Sequence, residues 1–228
     1  AEGISVVVVQ DRGALAAALN GNLAYIPATT NPSRLVLVDT NASRGLRPVI
    51  DEQHPFVHPR FSPDGTRLVV WVREIASSEL WVYDLGRNTR LRLTVGGGVT
   101  RPIWSRDGKT ITFQKDLSLY SIPADDSGPP EILLARDSSG PLFPLAWSRD
   151  GRTLVYSRPP RETNRDVFVL PTGGPPTPFL VTPRDERSAM LSPDGRWMVY
   201  ASLEAGREEE VYVQRYPGPG DRILVSTG

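Results

Sequence analysis

A short turn recurs in this chain at an almost constant spacing, and it restricts the possible fold more than any other feature. Its four copies are Phe61-Ser62-Pro63-Asp64-Gly65, Trp104-Ser105-Arg106-Asp107-Gly108, Trp147-Ser148-Arg149-Asp150-Gly151 and Leu191-Ser192-Pro193-Asp194-Gly195. Successive aspartates lie 43, 43 and 44 residues apart, and a weaker copy, Asn20-Gly21, stands 44 residues before Asp64. A period of about 40–45 residues, with several strands in each unit, is typical of β-propeller blades.

The residue types of this turn have a physical reason. In Ser-Pro-Asp-Gly the proline presets φ near about −65°, the aspartate tolerates the next position, and the glycine adopts the left-handed conformation that closes a hairpin. A residue that returns at the same turn in every unit is more simply a turn former than a catalytic acid or a metal ligand. We therefore predict structural roles for Asp64, Gly65, Asp107, Gly108, Asp150, Gly151, Asp194 and Gly195.

Each unit contains four strand-like segments. A first strand ends at the turn, an apolar second strand follows it, a third alternates apolar and polar residues, and a fourth is weaker. Four antiparallel strands make one blade. The sequence therefore predicts an all-β fold, with a single β-propeller domain over residues 1–228 and five complete blade units at about 13–49, 55–96, 99–137, 141–183 and 187–228.

The segment from Ile4 to Gln10 predicts one extra N-terminal strand, within residues 1–10. Two arrangements accommodate it: five blades with an added edge strand, or a six-blade propeller that lacks most of its last blade. Val6 to Val9 make the strand apolar on both faces, so we expect it to be buried along the outer edge of the fifth unit or against a neighbouring molecule. An unpaired sheet edge favours such self-association.

Charge and composition exclude several functional classes. The 228 residues include 26 basic and 26 acidic side chains, and no basic stripe of the kind that binds nucleic acid is visible. The absence of cysteine excludes disulfides and thiolate chemistry. No apolar stretch approaches the roughly 18 residues of a membrane span, and the chain as given carries no targeting signal. We therefore expect no nucleic-acid partner, no direct membrane insertion and no cofactor.

The repeated turn resembles that of the TolB-like, WD-type propellers of bacteria, and the resemblance covers about residues 20–228. More narrowly, the segments Arg34-Leu35-Val36-Leu37-Val38-Asp39, Leu80-Trp81-Val82-Tyr83-Asp84-Leu85 and Tyr212-Val213-Gln214-Arg215-Tyr216-Pro217-Gly218-Pro219-Gly220 are similar to the C-terminal propeller of some bacterial membrane-bound Ser/Thr protein kinases. This resemblance implies an extracytoplasmic module, periplasmic or at the cell surface, that senses or binds a protein and is attached to a kinase. The chain has no Gly-rich nucleotide loop and no kinase catalytic motif, so the resemblance implies no kinase activity for it.

The candidate ligand-binding residues lie just before the turns, because the first strands of a propeller line its central channel. His58 and Arg101 stand three residues before the aromatic residue of their turns, and Arg187 stands four residues before Leu191. Together these side chains are suited to form a positively charged channel mouth for a carboxylate or a peptide terminus. The alternative is that all three are solvated rim residues.

Two other groups of residues are better explained by structural roles than by metal binding or carbohydrate binding. His54 and His58, with Asp51 and Glu52, are zinc-ligand types, but the prolines beside the histidines prevent the helix that would put both on one face. The sequence therefore predicts no metal site. Four tryptophans have the chemistry of a carbohydrate platform, but their equivalent strand positions favour packing between blades: Trp81, Trp104, Trp147 and Trp197.

The sequence thus predicts a non-enzymatic propeller, without catalytic residues, that binds a protein or a peptide as the sensor or interaction region of a larger bacterial signalling protein. Two alternatives stay open. One is the substrate-gating propeller of a prolyl-oligopeptidase-type serine hydrolase, although Gly-x-Ser-x-Gly is absent from this chain. The other is a lyase or hydrolase that works in the central channel itself.

Overall fold

The computed structural model describes residues 14–17, 22–26, 34–39, 47–74, 77–159, 165–192, 194–203, 208–218 and 220–226. Every regular element within these ranges is a β-strand, which confirms the predicted all-β class. Within these ranges the structure contains no helix that is long and apolar enough to cross a membrane. The backbone contacts divide the chain into two compact units, Ala1–Trp104 with Ala124–Ser127, and Ser105–Pro123 with Gly128–Gly228.

The strands form sheets of four in which spatial order follows chain order. In chain order the strands are β1 (Ala14–Ala17), β2 (Asn22–Ile26), β3 (Val36–Asp39), β4 (Arg47–Pro48), β5 (Phe56–Phe61), β6 (Arg67–Arg73), β7 (Ser78–Asp84), β8 (Thr89–Arg92), β9 (Val99–Trp104), β10 (Thr110–Lys115), β11 (Ser118–Pro123), β12 (Glu131–Leu134), β13 (Phe143–Trp147), β14 (Thr153–Arg158), β15 (Asp166–Pro171), β16 (Thr177–Leu180), β17 (Asp185–Leu191), β18 (Trp197–Leu203), β19 (Glu209–Arg215) and β20 (Ile223–Leu224). The sheets are β1–β4, β5–β8, β9–β12, β13–β16 and β17–β20. Antiparallel sheets of four strands are the blades of a β-propeller.

The predicted count of five complete blades plus one extra N-terminal strand is wrong. The described residues contain four complete blades, β5 to β20. These are preceded by a smaller sheet, whose strands have only 4, 5, 4 and 2 residues. The predicted extra strand, Ile4 to Gln10, lies outside the described residues. The sequence offers a physical reason for the lower count. The weak copy Asn20-Gly21 has Ala18 where each complete turn has a serine, and alanine has no hydroxyl to bind the turn.

The hairpin between the first two strands of each complete blade is closed by a hydrogen-bonded form of the repeated turn. In the first of these blades, Ser62 Oγ donates to Asp64 Oδ1 (2.5 Å), and this same oxygen accepts from the backbone N–H of Thr66 (3.1 Å). Ser62 Oγ accepts from the backbone N–H of Arg67 (2.9 Å), and the Gly65 N–H donates to the Ser62 carbonyl (2.8 Å). Gly65 has a φ of +70°, a conformation that glycine adopts without a steric penalty.

The other three complete blades contain the same turn. The serine hydroxyl donates to the aspartate over 2.5–2.7 Å, and the glycine φ is +68° to +69°. The residues concerned are Ser105, Asp107 and Gly108, then Ser148, Asp150 and Gly151, then Ser192, Asp194 and Gly195. In all four turns the serine hydrogen bond is the largest cause that holds the aspartate pKa below its usual value. The aspartate carboxylate therefore accepts hydrogen bonds from within the turn, as expected of a residue that stabilises it.

Each unit has a core of its own between the faces of its sheets. In the first unit, the buried cluster consists of Ala24, Leu35, Leu37, Val49, Phe56, Leu68, Val70, Val72 and Tyr83. In the second, it includes Val155, Val167, Val169, Leu180, Ala189, Met198 and Tyr200.

The second and third strands of three blades pair an aromatic ring with another ring directly across the sheet. Stacked rings occur at 5.6–5.9 Å between centroids. The pairs are Phe113 with Tyr120, Tyr156 with Phe168, and Tyr200 with Tyr212. Such cross-strand aromatic pairs stabilise a sheet and fix its register.

Two of the four tryptophans considered above make contacts between neighbouring blades. Trp104 Nε1, in β9, donates to the carbonyl of Arg60 in β5 (2.9 Å). Trp147 Nε1, in β13, donates to Thr112 Oγ1 in β10 (3.0 Å). Each ring therefore satisfies its polar atom inside the protein, which is the packing role expected from the sequence.

Candidate functional site

The candidate site begins with a backbone irregularity in the first strands of the blades. The cross-strand register shifts between Val57 and Arg60 in β5 and between Arg187 and Met190 in β17. Inside or next to such shifts a residue can leave the sheet ladder, and bulges of this kind are common beside binding sites. In three blades the residue three positions before the aromatic or leucine position has a left-handed φ: His58 (+49°), Arg101 (+53°) and Ser188 (+54°).

The remaining complete blade, β13–β16, has its irregularity at a different residue. Its equivalent residue is Pro144, whose ring holds φ near about −65° and excludes the left-handed conformation. The register of β13 shifts between Pro144 and Ala146, so the ladder omits Leu145 instead. In the three complete blades whose first-strand register is described, an irregularity therefore lies at this position or directly after it.

His58 lies in an electropositive environment within the first unit. Its ring stacks on Trp71, with 5.8 Å between centroids and 6° between planes. Burial is the main cause that lowers the pKa of His58 to about 4, and the charges of Arg60, Arg101 and Arg73 lower it further. Because this value lies well below neutrality, His58 is uncharged at neutral pH and adds no positive charge of its own.

Trp71 connects this histidine with one of the arginines. The Arg73 guanidinium lies 5.7 Å from the centroid of the Trp71 ring, on the strand β6 that pairs with β5. The indole Nε1 is buried and donates to no acceptor among the described residues. A buried donor without an acceptor is unusual in a folded protein, and a ligand oxygen would satisfy it.

Arg187 is in a different situation from the one predicted. It belongs to the second unit, and its Nε donates to Asp185 Oδ2 (2.7 Å), which also accepts from Nη2. Its Nη1 lies 4.0 Å from Glu209 Oε1. The hydrogen bond to Asp185 is the main cause that raises the pKa of Arg187. Its charge is balanced by carboxylates, so the structure brings His58 and Arg101 together in one unit but gives Arg187 partners of its own.

Histidine and acidic side chains do not assemble into a metal centre at the position considered in the sequence. His54 Nε2 lies 3.2 Å from Glu52 Oε2, and Nδ1 lies 3.8 Å from Glu74 Oε1. The described residues contain no group of three or more His, Cys, Asp or Glu side chains arranged to hold a metal ion. Two grooves of the first unit lie elsewhere, one of about 710 Å³ lined by the Asp64 turn and one of about 730 Å³ lined by Tyr83 and Arg90.

The sequence did not indicate Trp71, Arg60 or Arg73 as members of the site. Arg73 and Trp71 lie on β6, and only the register of the hairpin places Trp71 opposite Val57, next to His58. The alternation of β6 gave a partial signal, because Trp71 and Arg73 stand two residues apart and thus share one face of the strand.

We expect the protein to lose stability as the pH falls from about 6.5 towards about 4, because the unfolded chain protonates His58 and the folded state resists it. In this window the unfolded state binds more protons, so stability rises with pH. His58→Asn, which tolerates the left-handed φ, should remove the part of this dependence above about pH 5. Urea midpoints measured across the range check this. A His58 NMR signal that titrates at the ordinary histidine value would contradict it.

Comparison with known proteins identifies the repeat. The family model described as the TolB β-propeller domain (PD40) matches residues 18–224. The solved structure of TolB from Acinetobacter baumannii is similar with a TM-score of 0.76 and 21% identity, covering 92% of this chain and 53% of that one. A solved prolyl endopeptidase structure is similar with a TM-score of 0.66 and 14% identity, covering 90% of this chain and 35% of that one. At such identities these likenesses concern the fold alone.

One curated relative is similar in sequence as well. The protein named uncharacterized peptidase YuxL of Bacillus subtilis (strain 168) is 27% identical over 164 residues, which are 68% of this chain and 24% of that protein. The chain therefore spans about a quarter of the length of this relative and about half of A. baumannii TolB.

Proposed function

Because the chain belongs to the TolB β-propeller domain (PD40) family, we propose that it is a non-catalytic propeller that binds a protein or peptide at the cluster of His58, Trp71, Arg73 and Arg101. The observation that carries this proposal is the pairing of an unsatisfied buried indole donor with a histidine whose pKa is lowered by burial and by the charges of three arginines. The chemistry of such a cluster suits a carboxylate, from an acidic side chain or a peptide C-terminus.

The residues of the cluster can contribute different kinds of contact to a bound carboxylate. Guanidinium groups form strong, charge-assisted hydrogen bonds with carboxylates. Trp71 Nε1 can donate a further bond from its buried position, and the stacked rings of His58 and Trp71 form an apolar wall beside it. Neutral His58 fits this role, because a protonated imidazole would add to the repulsion among the arginines. The arrangement contains no nucleophile for His58 to activate as a general base, which is why we propose binding without catalysis.

A carboxylate-bearing peptide provides the direct test. Isotope-labelled protein is titrated with a pool of acidic peptides with free C-termini, and with the same pool after Glu→Gln and Asp→Asn exchange and C-terminal amidation. We expect the Trp71 indole and His58 signals to shift only with the acidic pool. Arg101→Ala should weaken this binding about tenfold or more, as expected for the loss of a charge-assisted bond.

Arg106→Ala is the matched control, because Arg106 is an exposed arginine in a turn. It should bind the acidic pool as the natural chain does, and both variants should keep its melting temperature. Equal binding of the two pools, or equal weakening by both variants, would contradict the proposed site. Turnover of peptide, ester or glycoside substrates by the purified chain would contradict the non-catalytic assignment.

For the parent protein, we propose a bacterial signalling protein with the propeller outside the cytoplasm, and a Ser/Thr kinase as its enzymatic part. The support is the similarity of the segments around Leu35, Trp81 and Tyr212 to kinase-linked propellers. A kinase sequence and a membrane span encoded upstream of this chain would agree with the proposal.

The relative named as a peptidase favours a second candidate, the substrate-gating propeller of a serine hydrolase. A Gly-x-Ser-x-Gly domain encoded downstream would support this candidate and contradict the kinase assignment.

A further inference from the structure

A buried polar cluster in the second unit lies where the blade β13–β16 contacts the blade β17–β20. Its members are Asp166 at the start of β15, Thr182 after β16, Glu186 in β17 and Ser202 in β18. The exposed fractions of Asp166, Glu186 and Ser202 are only 8%, 1% and 2%. Carboxylates are rarely buried to this degree without a cation or several hydrogen bonds.

The contacts of Thr182 bring the two carboxylates together. Its Oγ1 donates to Glu186 Oε1 (2.7 Å), and its backbone N–H donates to the Asp166 carboxylate. The Glu186 N–H donates to the carbonyl of Arg165, the residue before Asp166 (2.8 Å). Ser202 is the cross-strand partner of Glu186, so its hydroxyl lies on the same face of the sheet.

Three oxygens of this cluster have no hydrogen-bond partner among the described residues. Asp166 Oδ1, Glu186 Oε2 and Ser202 Oγ are buried and form no hydrogen bond with any part of the chain that the structure describes. The arginine whose charge acts on Asp166 is Arg158, but its Nη1 donates to Asp137 Oδ2 (2.9 Å) and its guanidinium lies 4.2 Å from the centre of the Phe168 ring. The Arg158 guanidinium is therefore already engaged by other groups.

We propose that this cluster, defined by Asp166, Thr182, Glu186 and Ser202, is a Ca²⁺ site that joins the two blades. A buried water would satisfy the three free oxygens, but it would bring no charge to two carboxylates that lie in a medium of low dielectric constant. Oxygen ligands alone select a hard cation, and Ca²⁺ accepts six to eight of them in irregular geometry, whereas Mg²⁺ requires a near-ideal octahedron.

The experiment uses the full chain after treatment with a chelator. Addition of CaCl₂ should raise the melting temperature by about 5 °C or more at a concentration 100-fold above the dissociation constant. Isothermal titration should show one site per chain. The effect should be absent with NaCl at equal ionic strength and weaker with MgCl₂. A melting temperature that does not respond to calcium, or responds equally to NaCl, would overturn the proposal and leave a buried water in the cluster.

Variants locate the site. Glu186→Gln keeps the size and the acceptor for Thr182 but removes the charge, and it should weaken calcium binding at least about tenfold. Ser202→Ala removes one ligand with little effect on folding, so it tests the site even if the Glu186 variant does not fold. Asp221→Asn, at an exposed aspartate of the same unit, should keep the full calcium response. A calcium response that is unchanged in Ser202→Ala and in Glu186→Gln would place the ion elsewhere and overturn the assignment.

Discussion

Replacing Gly108 by valine should lower the free energy of unfolding by about 1–3 kcal/mol. Gly108 has a φ of +68°, and its N–H donates to the Ser105 carbonyl (3.1 Å) within the turn that joins β9 to β10. A β-branched side chain is strongly disfavoured at this φ, so the variant must distort the turn or lose its hydrogen bonds. Urea unfolding, with the slope and the midpoint compared with those of the natural chain, measures the loss.

Gly86→Val is the control for this change. Gly86 also lies in an exposed turn, but its φ is not positive, and the one neighbour of an added Cβ is Asp84 Oδ1 at 3.6 Å. We expect a loss below about 1 kcal/mol there. Equal losses in the two variants would show that the left-handed conformation is not what makes Gly108 necessary. Weaker binding of acidic peptides by the Gly108 variant, without a loss of stability, would instead place this turn at a ligand.

The second large effect is expected in the core. Phe113→Ala should destabilise the protein by about 3–5 kcal/mol, the usual range for removing a buried aromatic ring. Phe113 is completely buried in β10 and stacks on Tyr120, with 5.9 Å between ring centroids. The substitution removes this stacking and leaves a cavity between sheets whose backbone cannot fully collapse. Thermal and urea unfolding should agree on the size of the loss.

Ile132→Ala, in the outer strand β12 of the same sheet, is its control. Ile132 is 58% exposed, so its truncation should cost less than about 1 kcal/mol. If the Phe113 variant lost no more stability than the Ile132 variant, the packing of the second and third strands would not be the main source of stability of this blade.

The sequence predicted the hairpins because their signal is local. Ser62, Asp64 and Gly65 make all the bonds of the turn among themselves and with the next two residues, so the pattern contains the whole structure. The same reasoning corrects the blade count. Where Ala18 replaces the serine, the local signal is incomplete, so the weak copy Asn20-Gly21 does not indicate a complete blade.

The candidate site was only partly predictable, because its electrostatics depends on distant residues. The spacing from the turns indicated His58 and Arg101, but the lowered pKa of His58 results from burial and from three arginines, two of which lie on other strands. For Arg187 the sequence contains a signal for its partner. Asp185 stands two residues earlier on the same strand, and side chains at that separation share one face.

The buried cluster of the second unit could not be predicted from the sequence, for a different reason. Asp166 and Glu186 look like ordinary polar residues at the ends of strands, and only the packing of two blades buries them together. No period or motif in the sequence indicates that these residues lie together, because this depends on which faces of the two sheets pack against each other.

The left-handed residue before each turn has a consequence for how such a protein changes over evolutionary time. His58, Arg101 and Ser188 share a left-handed φ, and at His58 and Ser188 the strand departs from regular cross-strand pairing, so the residue there is not held to a fixed place in the ladder. Pro144 shows that even a residue unable to adopt that backbone is accommodated, by moving the irregularity to Leu145. Duplication of a blade thus copies one position whose chemistry can diverge while the sheet around it is preserved. New ligand preferences should therefore arise by substitution at these positions first, and the Ser-x-Asp-Gly turns a few residues later should stay as they are.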